Sequence, residues 1–498
     1  MPRLLNLARA ARLVGISRGV LQQKIQSGEL TAHDGQVSVE ELQRVFPQAA
    51  LEDNTVLENI EGIKEKAFGR RIAERVLPSA EVLAARLQEL GRELVETKAL
   101  LGHTTEVLEQ LNRMLGEHAS AAGEAGALAR ELQGWLHNRM LAGPPSDHAA
   151  WGLLLRDSLL KVLAAQVRIA GTNEEFFVEG GDTILESALR AGIPLAYGCS
   201  SGECGTCRAR VLSGEVKQVR PIQYRFPAGA RERGEVLLCS CTAVTDLVLE
   251  ASVAQSPADI PVQTLRAQVR SIERPTPEVA VLHLHTPRRH RLRFLAGQRV
   301  RLTFGQTLGA ELPVASCPCE DRHLEFHVRR LNGNPFADHV FEALAPGEEV
   351  TVEGPFGDFV LDRRSTRPLL FLAFSTGFAP IKSLMEHALA LENAPAIHLL
   401  WVAPRASALY AANLGRAWAD ALDHVHFTPV IAGGDLTATA SRQQEAVFRV
   451  LEAHLAPLAE LPTLDAYVAG PPLLVQAART WLSRHGVQHI ACDEEAGA

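Results

Sequence analysis

The stretch Tyr197-Gly198-Cys199-Ser200-Ser201-Gly202-Glu203-Cys204-Gly205-Thr206-Cys207 constrains this chain more than any other. Its three cysteines are spaced C-x4-C-x2-C, and a fourth, Cys239, follows in Leu237-Leu238-Cys239-Ser240-Cys241. Four thiolates in that order are a ligand set for a [2Fe–2S] cluster. The short gaps wrap one loop around the metal, and the interspersed glycines let backbone N–H groups approach the sulfurs. Cys241 is the rival fourth ligand. A structural zinc ion is the competing reading, although zinc sites are usually built from two C-x2-4-C knuckles. The expected ligands are Cys199, Cys204, Cys207 and Cys239.

A chain of 498 residues has room for several domains, and 46% hydrophobic residues can build their cores. Its net charge of −8 argues against a surface that coats nucleic acid throughout, while leaving room for one basic module. Eight cysteines in so long a chain do not make a disulfide scaffold. Free thiols beside an iron–sulfur motif point to a reducing cytoplasm. No apolar run approaches the ~20 residues that span a bilayer, so no membrane is expected as a partner. The acid-free, arginine-rich start could be misread as a transit peptide, but the same residues form a better pattern.

That pattern is helix, short turn, helix, small wing, helix. Leu7 to Val14 has helical apolar spacing and stops at Gly15, and Ser17 is placed to cap a second helix, Arg18 to Gln26. Asp34-Gly35 marks a tight hairpin. Ser38 caps a third helix, with Glu41 completing a capping box, and Pro47 ends it. A winged helix-turn-helix is expected, with Arg18, Gln22, Gln23 and Gln26 as candidate DNA contacts, because Arg and Gln can read base edges. Arg3, Arg9, Arg12, Arg18, Lys24 and Arg44 stand against Glu29, Asp34, Glu40 and Glu41 in residues 1–46. That balance is only weakly basic, and a helical interaction module is the alternative.

Residues 56–165 read as helix almost throughout. Leu83, Leu87, Leu90, Leu94, Thr97, Leu101, Thr104, Leu108, Leu111 and Leu115 alternate steps of four and three, the seam of a coiled coil. A homodimer joined along it is expected. Ala121 to Gly126 loosens the helix, Gly143-Pro144-Pro145-Ser146 ends it, and a short helix from Trp151 to Ala165 follows. Strand Gln166–Ala170, a turn, a strand through Phe177 and Val178 and the helix Thr183–Ala191 then lead to the cysteine loop. Short alternating strands fill 262–364. From Pro368 the pattern is α/β, with glycine turns at Ser375-Thr376-Gly377 and Gly470-Pro471-Pro472 where strand ends meet helix starts, a setting for dinucleotide phosphates.

The cysteine loop, with Cys207-Arg208-Ala209-Arg210-Val211, Ser213-Gly214-Glu215-Val216 and Asp246, resembles the plant-type ferredoxins. The part after it resembles the ferredoxin-NADP reductase superfamily through Ala296-Gly297-Gln298, Ala315-Ser316, Glu353 to Phe359, Thr376 to Pro380, Ala403-x-Arg405 and Gly470-Pro471-Pro472. Their order is that of oxygenase reductases and the CDP-6-deoxyglucoseen reductase group, and residues 1–50 look like the MerR or excisionase group. The expected fold is therefore a multidomain α+β and α/β chain. A helix-turn-helix (1–50), helical coiled-coil region (51–165), β-grasp ferredoxin (166–256), antiparallel flavin-type β-barrel (257–365) and Rossmann-like nucleotide domain (366–498) follow one another.

The resemblance implies FAD, NADH or NADPH, and cofactor contacts at Val314, Ala315, Ser316, Phe336, Thr376, Gly377, Arg405, Gly470 and Pro471. The family's R-x-Y-S falls on Ala310, Leu312 and Pro313, its G-x-x-S on Asn334-Pro335-Phe336-Ala337, and its G-G-T-G on Phe374-Ser375-Thr376-Gly377. Ala469 replaces the cysteine that usually precedes Gly-Pro-Pro, and the C-terminal end carries no aromatic residue. These departures imply weakened FAD binding. Flavin matters because a nicotinamide gives two electrons as hydride while a [2Fe–2S] cluster takes one at a time. The implied function is electron transfer from NAD(P)H through FAD and the cluster to an external acceptor protein. The alternative is a dimeric DNA-binding regulator that senses redox state or a nucleotide through a degenerate reductase module.

Overall fold

The computed structural model describes residues 4–33, 36–46, 79–119, 124–141, 162–305, 307–331, 333–437 and 439–495. At the N-terminus Asn6 and Ser17 cap helices Leu7–Val14 and Arg18–Gln26 with their side chains. The Asp34-Gly35 turn lies outside the described residues, but Ala32–His33 and Gln36–Ser38 pair antiparallel on either side of it, and Leu4–Asn6 completes a three-stranded wing. Ser38 caps Val39–Val45 by accepting from Glu41 N at 3.2 Å. The expected capping box is one-sided, because the Glu41 carboxylate turns instead to Thr31 N at 3.1 Å and to Arg44.

Helix Ala80–Ala119 carries the leucine seam, and helix Glu124–Leu141 packs against it rather than prolonging it. The helical expectation for 56–78 and most of Trp151–Ala165 falls outside the described residues. Ala164 and Ala165 are already strand, held there by pairing with Glu179 and Val178. At its base the long helix is fastened to the next module by Arg86, 2% exposed. Its guanidinium donates to the carbonyls of Val244, Val162, Val178 and Ala243.

That module is a five-stranded mixed sheet. Its spatial order is Glu175–Glu179, Ala164–Ile169, Leu247–Glu250, Arg208–Ser213 and Glu235–Leu237, with a parallel pair between Ala164–Ile169 and Leu247–Glu250. Helix Ile184–Arg190 opens with a reciprocal capping box of Thr183 and Glu186 and contributes Ile184, Leu185, Ala188 and Leu189 to the core. Next comes a six-stranded antiparallel sheet ordered Leu308–Pro313, Arg299–Phe304, Glu349–Phe356, Gln263–Thr276, Val279–His285 and His323–Arg329. Its outer strands approach each other where Ala315 N donates to Glu325 O at 2.8 Å, curling the sheet into a half-barrel over one apolar core.

The last module is an all-parallel sheet ordered Val425–Ile431, Ile397–Ala403, Leu369–Phe374, Asp465–Gly470 and His489–Glu494. The chain runs outward from Leu369–Phe374 in one direction, then returns to start again at Asp465–Gly470. The crevice between those two strand ends is the switch point at which open α/β sheets bind ligands. The N-terminal wing module rests on two of these modules. Arg12 pairs with Glu179 and lies over the Phe177 ring, Arg9 reaches Asp246, and Gly19 N donates to Glu392 O at 2.7 Å. A Cβ on Gly19 would lie 2.7 Å from the Ala394 carbonyl, so that contact needs glycine.

Candidate electron-transfer site

The cysteine loop brings four thiols together. Cys199 is in hydrogen-bond contact with Cys204 and Cys239, and Cys207 with Cys239. Cys199, Cys207 and Cys239 are buried, and Cys204 is exposed. Cys241 makes no such contact and sits in the short strand Cys241–Ala243, where burial pushes its thiol up to about 11. Among the described residues no group of three or more His, Cys, Asp or Glu side chains is set to hold a single metal ion. The donor set fits a cluster: four sulfurs on one loop and its neighbouring strand end, with Thr206 N directed at Cys204 Sγ at 3.5 Å.

Two of the loop glycines also serve the packing of the loop. Gly202 and Gly205 both take positive φ, and a Cβ there would meet Pro221 O at 2.5 Å and the Tyr224 ring at 2.2 Å. They let the loop close against residues 221–224, while the Ser201 and Cys204 N–H groups lie at the Cys199 sulfur.

The same loop is docked on the half-barrel. Ser200 N donates to Arg288 O at 3.0 Å, and Arg291 N donates to Gly198 O at 3.1 Å. The buried Arg291 guanidinium reaches Ser200 Oγ at 3.1 Å and Thr286 Oγ1 at 3.0 Å. Tyr197 OH donates to Leu292 O at 3.4 Å, and Arg289 pairs with Glu203 at 3.2 Å. Asp321, near Arg291, is pushed up to about 6 by burial, against the pull of Arg291 and Arg322. Sequence reasoning missed Tyr197 and Arg291 because their partners across the interface, Leu292 and Ser200, lie 95 and 91 residues away.

At the switch point Thr376 and Gly377 follow the first strand, and Gly470-Pro471 the fourth. A Cβ on Gly377 would lie 2.2 Å from Ala469 O, so the two turns touch through main chain alone. Ser375, in place of a family glycine, is held at φ 50° and accepts from Trp401 Nε1 at 3.0 Å. Thr376 Oγ1 donates to Glu495 at 2.7 Å, so Glu495 lies over this turn. Arg299, beside Pro313 in the register, pairs with Asp493 at 3.4 Å.

Of the other expected cofactor contacts, Ala315 and Ser316 stand at the half-barrel edge facing helix Phe378–Leu391. Val314 and Phe336 are core residues, leaving only their main chain for a ligand. Arg405 is exposed on the rim and paired with Glu278. Ala310 and Leu312 are half-buried on the edge strand. The main-chain frame fits a flavin and a nicotinamide nucleotide, and the side chains that usually anchor the flavin are absent. Val314 N, Ala315 N and the Ala315 and Ser316 carbonyls are already paired within the protein. At that edge the Val314 carbonyl and the Ser316 N–H would therefore meet the flavin, and Thr376–Gly377 with Gly470 would hold the nucleotide. A bound flavin supplies the conversion from a two-electron donor to a one-electron acceptor.

Cluster loop, half-barrel and parallel sheet, fastened in that order, define an iron–sulfur flavoprotein reductase. Residues 167–244 match the 2Fe-2S iron-sulfur cluster binding domain, 266–361 the oxidoreductase FAD-binding domain and 371–480 the oxidoreductase NAD-binding domain. The chain is 30% identical over 323 residues to reductase component 2 of terephthalate 1,2-dioxygenase from Comamonas sp., covering 65% of this chain and 94% of that one. It is 29% identical over 326 residues to the CDP-6-deoxy-L-threo-D-glycero-4-hexulose-3-dehydrase reductase of Yersinia pseudotuberculosis, covering 65% and 96%. An Amycolatopsis cytochrome P450 reductase aligns with a TM-score of 0.41 at 26% identity, covering 66% of this chain and 98% of that one. The chain belongs to the family of NAD(P)H-dependent ferredoxin-type reductases. It passes electrons from NAD(P)H through FAD to a [2Fe–2S] cluster.

Proposed function

We propose that this reductase holds its cluster on Cys199, Cys204, Cys207 and Cys239, binds FAD weakly, and delivers single electrons to an oxygenase-type protein. The observation that carries the reading is the docking of Tyr197, Gly198 and Ser200 on residues 288–292, which sets the cluster loop directly against the half-barrel. The exposed Cys204 is the side from which an acceptor would draw electrons. Relatives named as dioxygenase and phenol monooxygenase reductase components support that class of acceptor. The deciding experiment is the visible spectrum of the purified protein, followed by NADH- and NADPH-driven cytochrome c reduction with and without added FAD. A protein with no cluster absorption, or one inert with both nucleotides at saturating FAD, overturns it.

The leucine seam supports a second element of the reading, a homodimer. Leu87, Leu94, Leu101 and Leu111 are 45–65% exposed, and the Thr97 and Thr104 hydroxyls are satisfied by their own helix carbonyls. A role in DNA binding is favoured by the wing and its two capped helices. Gln23 and Gln26 are exposed, whereas Arg18 and Gln22 are half-buried. Reading DNA with the whole helix would therefore require the module to leave its seat on Glu392–Ala394. Selection of duplexes from a random pool by the full chain tests it, and recovery of no enriched sequence would exclude it.

A further inference from the structure

Helix Phe378–Leu391 is apolar along most of its length yet carries Lys382 and Glu386 one turn apart, both buried. Lys382 Nζ lies 2.9 Å from Glu386 and 3.1 Å from Glu325 Oε2 on the half-barrel strand His323–Arg329, and it donates to Ala315 O at 3.4 Å. Glu325 Oε1 is 2.8 Å from His327 Nε2, and His327 Nδ1 is 2.6 Å from Tyr410 OH. Burial alone would raise the Glu325 carboxyl, but Lys382 and His327 hold it below the usual carboxylate range. Burial pulls the His327 pKa below its usual value, against the opposing pull of Glu325. An ionised Glu325 only accepts, so in the neutral imidazole Nε2 carries the proton and Nδ1 accepts from Tyr410. The hydrogen bonds run one way, from Tyr410 through His327 to Glu325, with Lys382 closing the end.

This helix grips three consecutive residues of the half-barrel edge. Lys382 takes Ala315 O, Ser383 Oγ donates to Ser316 O at 2.8 Å, and Glu386 accepts Cys317 N–H at 3.1 Å. It also begins at the Ser375–Gly377 turn, so one rigid element touches both the half-barrel edge and the nucleotide-side turn. Phe378 stacks on Trp401 at 3.9 Å and packs edge-on against Tyr410, fixing its first turn. A buried ion network of this size adds little net stability over an apolar set of equal volume. Its directional geometry fixes position instead.

We propose that Lys382, Glu325, His327 and Tyr410 are positioning residues that set the spacing between Ala315–Cys317 and Thr376–Gly377, and with it the reach over which hydride leaves the reduced nicotinamide for the flavin. The inference rests on the reading that these two segments hold those two cofactors. It is tested with Tyr410→Phe, His327→Gln and Lys382→Met in the full chain. In cofactor-free protein, hydrogen exchange at the Cys317 amide should quicken about tenfold or more in Lys382→Met while amides of strand Ala164–Ile169 keep the parent's rate. In FAD-loaded protein, NADH-driven ferricyanide reduction should lose about tenfold to a hundredfold in kcat, as misplacement of reacting groups does. KM for NADH should stay within about twofold, and the isotope effect from deuterium at the transferred position should rise. Parent-like kcat and isotope effect in all three variants overturn the inference. A parent that oxidises no NAD(P)H at any flavin concentration overturns the reductase reading instead, and the exchange rates then decide the network alone.

Discussion

At the residue scale, two substitutions separate the fourth ligand from its neighbour. Cys239 faces Cys199 and Cys207, while Cys241 is turned into a strand with Cys207 acting on it only at a distance. Cys239→Ser should abolish the reduced-state EPR signal and Cys241→Ser should leave it, the reverse pattern moving the ligand. The flavin side carries a second prediction. Ala310 removes a charge-assisted contact of about 1.5–3 kcal/mol to the cofactor's diphosphate, equal to about ten- to a hundredfold in affinity. The protein should purify partly or wholly without flavin, and cytochrome c reduction should climb as FAD is added. Ala310→Arg with Leu312→Tyr should raise flavin retention, because both positions lie half-buried on the edge strand beside Arg299–Phe304. Full, tightly held FAD in the unaltered protein would show that the anchor lies elsewhere.

At the scale of elements, the long helix presents its seam to solvent over several turns, with Leu87, Leu94, Leu101 and Leu108 all exposed. Replacing Leu94 and Leu108 with Lys buries two charges in a dimer interface, at a cost of several kcal/mol, roughly. Sedimentation should show a monomer, and a double variant that sediments like the parent would place dimerisation outside this helix or exclude it. The seam was legible from sequence because period 3.5 is a local property. So were the caps at Ser17 and Ser38, the cysteine loop and the two glycine turns, each written within a few residues. What was not legible depends on partners far along the chain. Arg86 looks like any charged residue on an exposed helix, yet its four acceptors come from residues 162–244. The fold-back of Glu124–Leu141 and the seating of Gly19 on Ala394 are likewise tertiary. Lys382 and Glu386 did leave a signal, an i, i+4 ion pair inside an otherwise apolar helix, which reads as a buried network only once the barrel strand bearing Glu325 is placed beside it.

At the scale of the whole molecule, the three reductase modules meet at one point. Ile193 and Tyr197 of the first, Arg293 and Pro318 of the half-barrel and His387 of the nucleotide domain line a common junction. Gly192 sits so close to the helix that a Cβ there would lie 3.1 Å from the His387 ring. His387 is fully enclosed with Nδ1 unpartnered, and burial, with a smaller push from Arg363, drives its pKa down to about 3. In the unfolded chain it would titrate near 6.5. The unfolded state therefore binds the proton first on acidification. The stability His387 contributes is present above about pH 6.5 and is lost as pH falls toward 3. By pH 5 that loss is on the order of 2 kcal/mol. Asp321 works in the opposite sense, its contribution being present below the unfolded carboxyl value and lost as pH rises through about 6, so the total slope mixes signs. Comparing parent with His387→Leu isolates the one side chain. Unfolding free energies from urea titrations at pH 7.5 and pH 5.0 should shift between parent and variant by about that 2 kcal/mol, in favour of the leucine variant at the lower pH. The shift should accompany faster proteolytic nicking between the modules in the parent at pH 5.0. If parent and variant differ equally at both pH values, His387 is not held neutral in the folded protein, and the junction is not what acid opens.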